Sequence, residues 1–127
     1  MTRINCVPVA ELTNKHLVAE YRELPRVFGL VKRAQDRGAK AHHYVWPESY
    51  TLGPGHLRFF YPRLLWCLFR QHSLVEEMKA RGFMVRHDDP DQLAEGLRQE
   101  WFGGWAPTEA DLELNRARLR ARGAEAA

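Results

Sequence analysis

Apolar residues recur through 14–38 with a helical period. On a wheel of about 100° per residue, Leu17, Tyr21, Leu24, Phe28 and Val31 fall within about 40° of one line, the stripe that a helix turns toward a core. Arg22, Arg26, Arg33 and Arg37 gather on nearly the opposite side, and Glu23 lies between the two sets. Thr13 or Asn14 can cap the start, and Gly38 ends the run. Pro25 inside it removes one backbone hydrogen bond and bends the axis. Two helices broken at Leu24 are the alternative. One bent helix is preferred, because the apolar line continues in phase from Leu24 to Phe28.

The pattern changes on either side. Ile4–Val9 alternates too briefly for a strand and contains Pro8, so it reads as an extended arm packed through Ile4, Cys6 and Val7. Ala39–Pro62 has no helical period; its aromatics and the turn signal Gly53-Pro54-Gly55 describe a long loop, in which Leu57–Tyr61 is open to a short extended piece. From about Arg63 to Arg81, Leu64, Leu65, Leu68, Phe69, His72, Val75 and Met78 outline a second helix, stopped by Gly82. Asp88-Asp89-Pro90-Asp91 leads a short helix through Leu93, Leu97 and Arg98. Thr108 and Asp111 resemble a capping box, with Asp in place of the usual Glu or Gln, and open a last helix carrying Arg116, Arg118, Arg120 and Arg122. The expectation is an all-α fold: one compact domain over 1–127, with three main helices at about 14–38, 63–81 and 108–123, a long aromatic-rich loop and an extended N-terminal arm.

Composition narrows the class. A chain of 127 residues, 45% apolar, can bury a core without metal or disulfide support. Cys6 and Cys67 fit no metal or redox spacing and read as reduced core residues of an intracellular protein. No apolar run approaches the roughly 18 residues of a membrane span, and the N-terminus lacks a signal-peptide pattern. Thr2 is small enough for removal of the initiator Met, so the mature chain is expected to start there. A net charge of +3 suits nucleic acid without requiring it.

Most reactive constellations find little support. His42-His43 are adjacent in a loop with no helical histidine pair or carboxylate cluster, which argues against a metal site. Gly53-Pro54-Gly55 lacks the spacing and the Lys-Ser/Thr of a phosphate loop. Neither Ser49, Ser73 nor the cysteines sit in a nucleophile motif. Arginines on helices are better supported, because the planar guanidinium gives paired bonds to phosphate oxygens. Arg22, Arg26 and Arg33 offer this on the first helix, and Arg118 and Arg122 on the last; an ordinary solvated face is the competing reading. Glu23 is the unusual residue. It shares a face with His16 and precedes Arg26 by three, so it is placed to stabilise a cation or relay a proton, or simply to form a surface ion pair.

MTRIN at 1–5, AEYRELPRVFG at 19–29, GPGHLRFFY at 53–61, RQ at 70–71 and KARGF at 79–83 closely resemble the phage-type pyrimidine-dimer DNA glycosylases, the endonuclease V family of the phage T4 kind. The likeness is nearly colinear over roughly 1–120. It implies a single all-α domain that flips a base opposite a cyclobutane pyrimidine dimer, cuts the glycosidic bond and nicks the strand as an abasic-site lyase. By resemblance, the nucleophile is the α-amino group of Thr2 and the essential carboxylate is Glu23. Arg3, Arg22 and Arg26 correspond to DNA-binding arginines, Arg118 and Arg122 to basic positions of the last helix, and His16 to a histidine near the site. Arg33, Arg70 and Gln71 join the expected DNA contacts. An α-amine titrates near 7.7–8.0, so far more of it is free base at neutral pH than of a lysine near 10.4.

The partner expected is double-stranded DNA carrying UV photoproducts or abasic sites, bound by a monomer without metal, cofactor or membrane. The expected location is the cytoplasm, with the nucleoid or in a phage-infected cell. The alternative is a noncatalytic helical DNA-binding protein. The chain ends at Ala127 without the family's aromatic C-terminal tail, so Trp101, Trp105 and Trp46 are the candidates to replace it. Leu30 and Ala34 thin the positive ridge, which predicts weaker nonspecific binding and greater salt sensitivity.

Overall fold

The computed structural model describes residues 4–126, with side chains through Arg122. Five α-helices follow in order: α1 Asn14–Glu23, α2 Pro25–Asp36, α3 His56–Phe60, α4 Leu64–Ala80 and α5 Glu109–Ala126, with single 3-10 turns at Val9–Glu11, Ala41–His43, Pro90–Ala94 and Gln99–Trp101. Among the described residues there is no strand; one isolated bridge joins Arg63 to Phe102. The all-α expectation therefore holds, but four helices of ten residues or more replace the expected three.

The difference lies at Leu24. The preferred single bent helix is two helices, although Leu24 keeps right-handed helical angles and its N–H still reaches the Glu20 carbonyl at 2.9 Å. Pro25 has no N–H to offer the Tyr21 carbonyl four residues back. Gln71 of α4 fills that vacancy, donating its side-chain amide to the Tyr21 oxygen at 3.1 Å. The break is thus satisfied from a neighbouring helix, and the apolar line runs on across it: Leu17, Leu24, Phe28 and Val31 are all buried.

Other boundaries follow local chemistry. Thr13 caps α1, its Oγ1 accepting the His16 N–H. Thr108 and Asp111 form a reciprocal capping box on α5, at 2.9 and 3.1 Å. The first turn of α4 has no side-chain cap; instead the Gly103 carbonyl accepts the N–H groups of Leu65 and Trp66. A Cβ at Gly103 would sit 2.4 Å from the Pro62 carbonyl oxygen, so only glycine permits this approach. The stretch Leu57–Tyr61, open to an extended reading, belongs to α3. Gly55, at φ 88°, turns the chain, and its carbonyl accepts the Phe59 N–H. The acidic segment after 88 makes only 3-10 turns.

Helix α4 buries only part of the expected side: Leu64, Val75 and Met78 are buried as expected. Leu65 and Phe69 are exposed, and the interior line runs through Leu64, Cys67, Gln71, Leu74 and Met78, with Arg70 beside it. Around this line Tyr50, Phe59, Phe60, Trp66 and Trp105 stack and meet edge-on, plugging one end of the helical core. Both cysteines are free and buried. Burial pushes the Cys6 thiol up to about 12 and raises that of Cys67 as well, which leaves both inert as nucleophiles.

Candidate functional site

A buried hydrogen-bond network lies where the N-terminal arm meets α1, α4 and α5. Asn5 donates its side-chain amide to Glu20 Oε1 at 2.9 Å. Arg70 grips the same carboxylate with two nitrogens, Nε to Oε2 at 2.7 Å and Nη2 to Oε1 at 3.1 Å, while its Nη1 reaches the Val7 carbonyl at 2.6 Å. Asn115 of α5 accepts the backbone N–H groups of Cys6 and Val7 on one oxygen and returns its amide to Asn5. Asn5, Glu20, Arg70 and Asn115 are all buried. An isolated charge at this depth would be strongly unfavourable; pairing and complete hydrogen bonding make it tolerable.

One step closer to the chain start, His56 takes over. The Ile4 N–H donates to its Nε2 at 2.8 Å, and its Nδ1 stands 2.6 Å from the Thr51 carbonyl. An acceptor at Nε2 and a carbonyl facing Nδ1 assign the neutral ring with its proton on Nδ1. The Tyr50 hydroxyl donates to the Ile4 carbonyl at 2.8 Å. Both polar backbone atoms of Ile4 are therefore held by side chains.

These contacts set the direction of the arm. Arg81 bonds the carbonyls of Val9 and Ala10 and also Asn14 at the start of α1, whereas Asn5 lies against Glu20, nearly two turns along. Followed backward, the arm runs beside α1 toward the end that carries Glu23. Glu23 is the last residue of α1, about one-third exposed, with Arg26 Nη1 3.7 Å from its carboxylate. Arg22 and Arg26 are exposed beside it. Glu20 and Glu23 are one turn apart, yet the first is enclosed in the network and the second faces outward at the rim.

The remaining predicted residues divide. Thr2 and Arg3 lie outside the described residues. His16 is half-buried near α5; burial first, then the charges of Lys15 and Arg122, hold its imidazole below the usual range. Arg122 is exposed, and half-buried Arg118 has a buried Nε with no hydrogen-bond partner among the described residues. Arg33 is exposed farther along α2. Arg70 and Gln71, grouped with the DNA contacts by sequence, point inward to Glu20, Val7 and Tyr21. Both are buried, and their hydrogen bonds hold helices and arm together. No group of three His, Cys, Asp or Glu side chains that could hold a metal occurs among the described residues, and no helix among them is long and apolar enough to cross a membrane.

Sequence reasoning missed Asn5, Glu20, Tyr50, His56 and Asn115. One signal was present. Glu20 falls about 20° from Val31 on the wheel, squarely on the apolar stripe, and a carboxylate there calls for a buried cation.

The arrangement combines an arm pinned at Ile4 and Asn5, an outward carboxylate at the end of α1 to which the arm leads, and arginines beside it. Such a site offers an anion at the rim and cations suited to a polyanionic substrate. Residues 1–91 match the profile of a protein family described as pyrimidine dimer DNA glycosylase.

Proposed function

The chain belongs to the pyrimidine dimer DNA glycosylase family, a family assignment that makes it a DNA-repair enzyme of glycosylase and lyase type, and we propose that it excises cyclobutane pyrimidine dimers and nicks the resulting abasic site through its N-terminal amine. The observation that carries this reading is the clamp on Ile4 by His56 and Tyr50. Covalent geometry keeps the Thr2 nitrogen within about 7 Å of the Ile4 nitrogen, and the arm is directed toward the Glu23 end of α1. A nucleophile on a chain terminus would ordinarily lose orientation to conformational entropy; anchoring two residues away reduces that loss.

In this mechanism the free amine of Thr2 attacks C1′ of the 5′ deoxyribose of the dimer. The bond from C1′ to the pyrimidine nitrogen breaks, and the base leaves with its electron pair. Opening of the sugar ring yields an iminium between Thr2 and C1′. The Glu23 carboxylate stabilises the developing positive charge at C1′ and then the iminium. It next assists removal of a C2′ proton, and the 3′ phosphate departs as the C3′–O bond breaks. Hydrolysis of the imine returns the amine.

Arg22 and Arg26 flank Glu23 and suit the phosphates around a distorted step, with Arg3, His16, Arg33, Arg118 and Arg122 extending the contact. A dimer is weakly paired, which lowers the cost of flipping the opposite nucleotide. The partner is therefore double-stranded DNA bearing photoproducts or abasic sites, and the enzyme works as a monomer. Incubation with supercoiled plasmid, irradiated or not, tests the substrate class. Nicking confined to the irradiated plasmid supports the reading; equal nicking of both, or none, overturns it.

A further inference from the structure

Arg33, Arg37 and Arg58 converge with Tyr44, Trp46 and Tyr61 around a cavity of about 250 Å³, completed by Leu30 and Ala34. It lies away from Glu23: about ten residues of helix, or roughly 15 Å of rise, separate Glu23 from Arg33. No carboxylate lines it, and the nearby Asp36 carboxylate is held by Lys32 at 2.9 Å. Arg33, Arg37 and Arg58 form no ion pair among the described residues. Three clustered cations without a counter-charge repel one another, a cost that an anion would remove.

The aromatic side chains are ordered for contact. The Trp46 indole donates to the Ala41 carbonyl at 2.7 Å and packs edge-on against buried Trp101. Tyr44 and Tyr61 lie 5.2 and 5.5 Å from its ring centre, and the Arg58 guanidinium stands 5.2 Å over its face. Tyr44 is 48% exposed and its neighbour Val45 is 95% exposed. Duplex DNA would engage these arginines through backbone phosphates, but its stacked bases hide the π-faces that the tyrosines and Trp46 could meet. An unpaired nucleotide supplies both partners, a free face for stacking and a phosphate for the guanidiniums. The volume falls just below the roughly 300–1,000 Å³ of drug-sized ligand sites, which leaves room for a base.

We infer that this cavity is a second nucleotide site, which takes one unpaired base with its phosphate from single-stranded DNA at a strand end, gap or opened step. The inference depends on the DNA-repair reading only in choosing DNA as the source of the nucleotide. Fluorescence anisotropy with a labelled oligothymidylate and with a blunt, undamaged duplex tests it on the full chain, comparing wild type with Tyr44→Ala and Arg58→Ala. Each variant is expected to lose roughly 5- to 150-fold in affinity for the single strand while duplex affinity stays within about twofold and borohydride trapping on an abasic duplex is unchanged. Equal loss on both probes would make Tyr44 and Arg58 duplex contacts like Arg33 at the cavity's edge, and no loss on either would mean that no nucleotide enters; both overturn the inference. If the wild type fails to trap on abasic DNA while the single-strand pattern holds, the catalytic proposal falls and the second site stands.

Discussion

Arg70 holds both oxygens of the Glu20 carboxylate directly beneath the segment that leads to the start of the chain. The same guanidinium bonds the Val7 carbonyl, so one cation ties α1, α4 and the arm. Removing it leaves Glu20 buried without its cation. Arg70→Ala is expected to cost about 3–5 kcal/mol of stability, measured by urea unfolding. A variant of unchanged stability that binds DNA poorly would return Arg70 to the DNA-facing set.

Gln71 and Pro25 form a second pair whose coupling is measurable. Gln71→Leu orphans the Tyr21 carbonyl, at a cost of about 1–3 kcal/mol. In a Pro25→Ala background the backbone can supply the missing N–H itself, so the same substitution should cost less. A coupling energy of about 0.5–3 kcal/mol is expected from the double-mutant cycle; strict additivity would show that Gln71 is not substituting for the proline's absent donor.

His56 holds the arm at Ile4, which makes it a positioning residue for the proposed amine. His56→Phe keeps a ring in the aromatic cluster but removes the acceptor for the Ile4 N–H. Stability should fall by about 1–3 kcal/mol, and the single-turnover trapping rate should fall while abasic-duplex affinity is retained. Restoration of trapping by His56→Gln, whose oxygen can accept the same N–H, separates anchoring from a general packing loss. An undiminished trapping rate in His56→Phe would contradict this role.

His16 gives the expected pH dependence. Its imidazole titrates below the ordinary value of 6.5, because of burial and then Lys15 and Arg122. Between the ordinary and the lowered value the unfolded chain binds a proton that the folded chain does not. Its contribution to stability is thus present above 6.5 and is lost as the pH falls through the lowered value. A phosphate brought beside the ring favours the protonated form, so DNA binding should take up a proton and tighten in mild acid. His16→Gln should flatten both dependences, read by thermal unfolding and by anisotropy across pH; a slope retained in the variant would assign them elsewhere.

How much of this could be read from the chain depends on which signal carried it. The caps at Thr13 and Thr108 were legible because capping is local and needs only a hydroxyl and a nearby N–H. The core stripe of α1 and α2 was legible through its period, and so was the ridge of Arg22, Arg26 and Arg33 behind it. The break at Leu24 was legible only as the alternative to one bent helix, since the carbonyl that Pro25 leaves open is satisfied by Gln71, from a helix 50 residues away in sequence. Apolar side chains on several faces of α4 hid its true interior line, because Arg70 and Gln71 occupy buried positions that pattern alone assigns to solvent. Glu23 was found through its setting and its resemblance, but the Asn5–Glu20–Arg70–Asn115 network that orients the arm spans contacts up to 110 residues apart. Only the three-dimensional fold brings those groups together.

The central proposal is the joint action of Thr2 and Glu23, and borohydride trapping on an abasic duplex followed by peptide mapping tests it most directly. The wild type should yield a covalent adduct on the α-amine of Thr2, lost when that amine is acetylated. On dimer-containing duplex, Glu23→Gln should form no adduct although its DNA affinity is retained. An adduct mapped to an internal lysine, or trapping that survives acetylation of the terminus, would contradict the account.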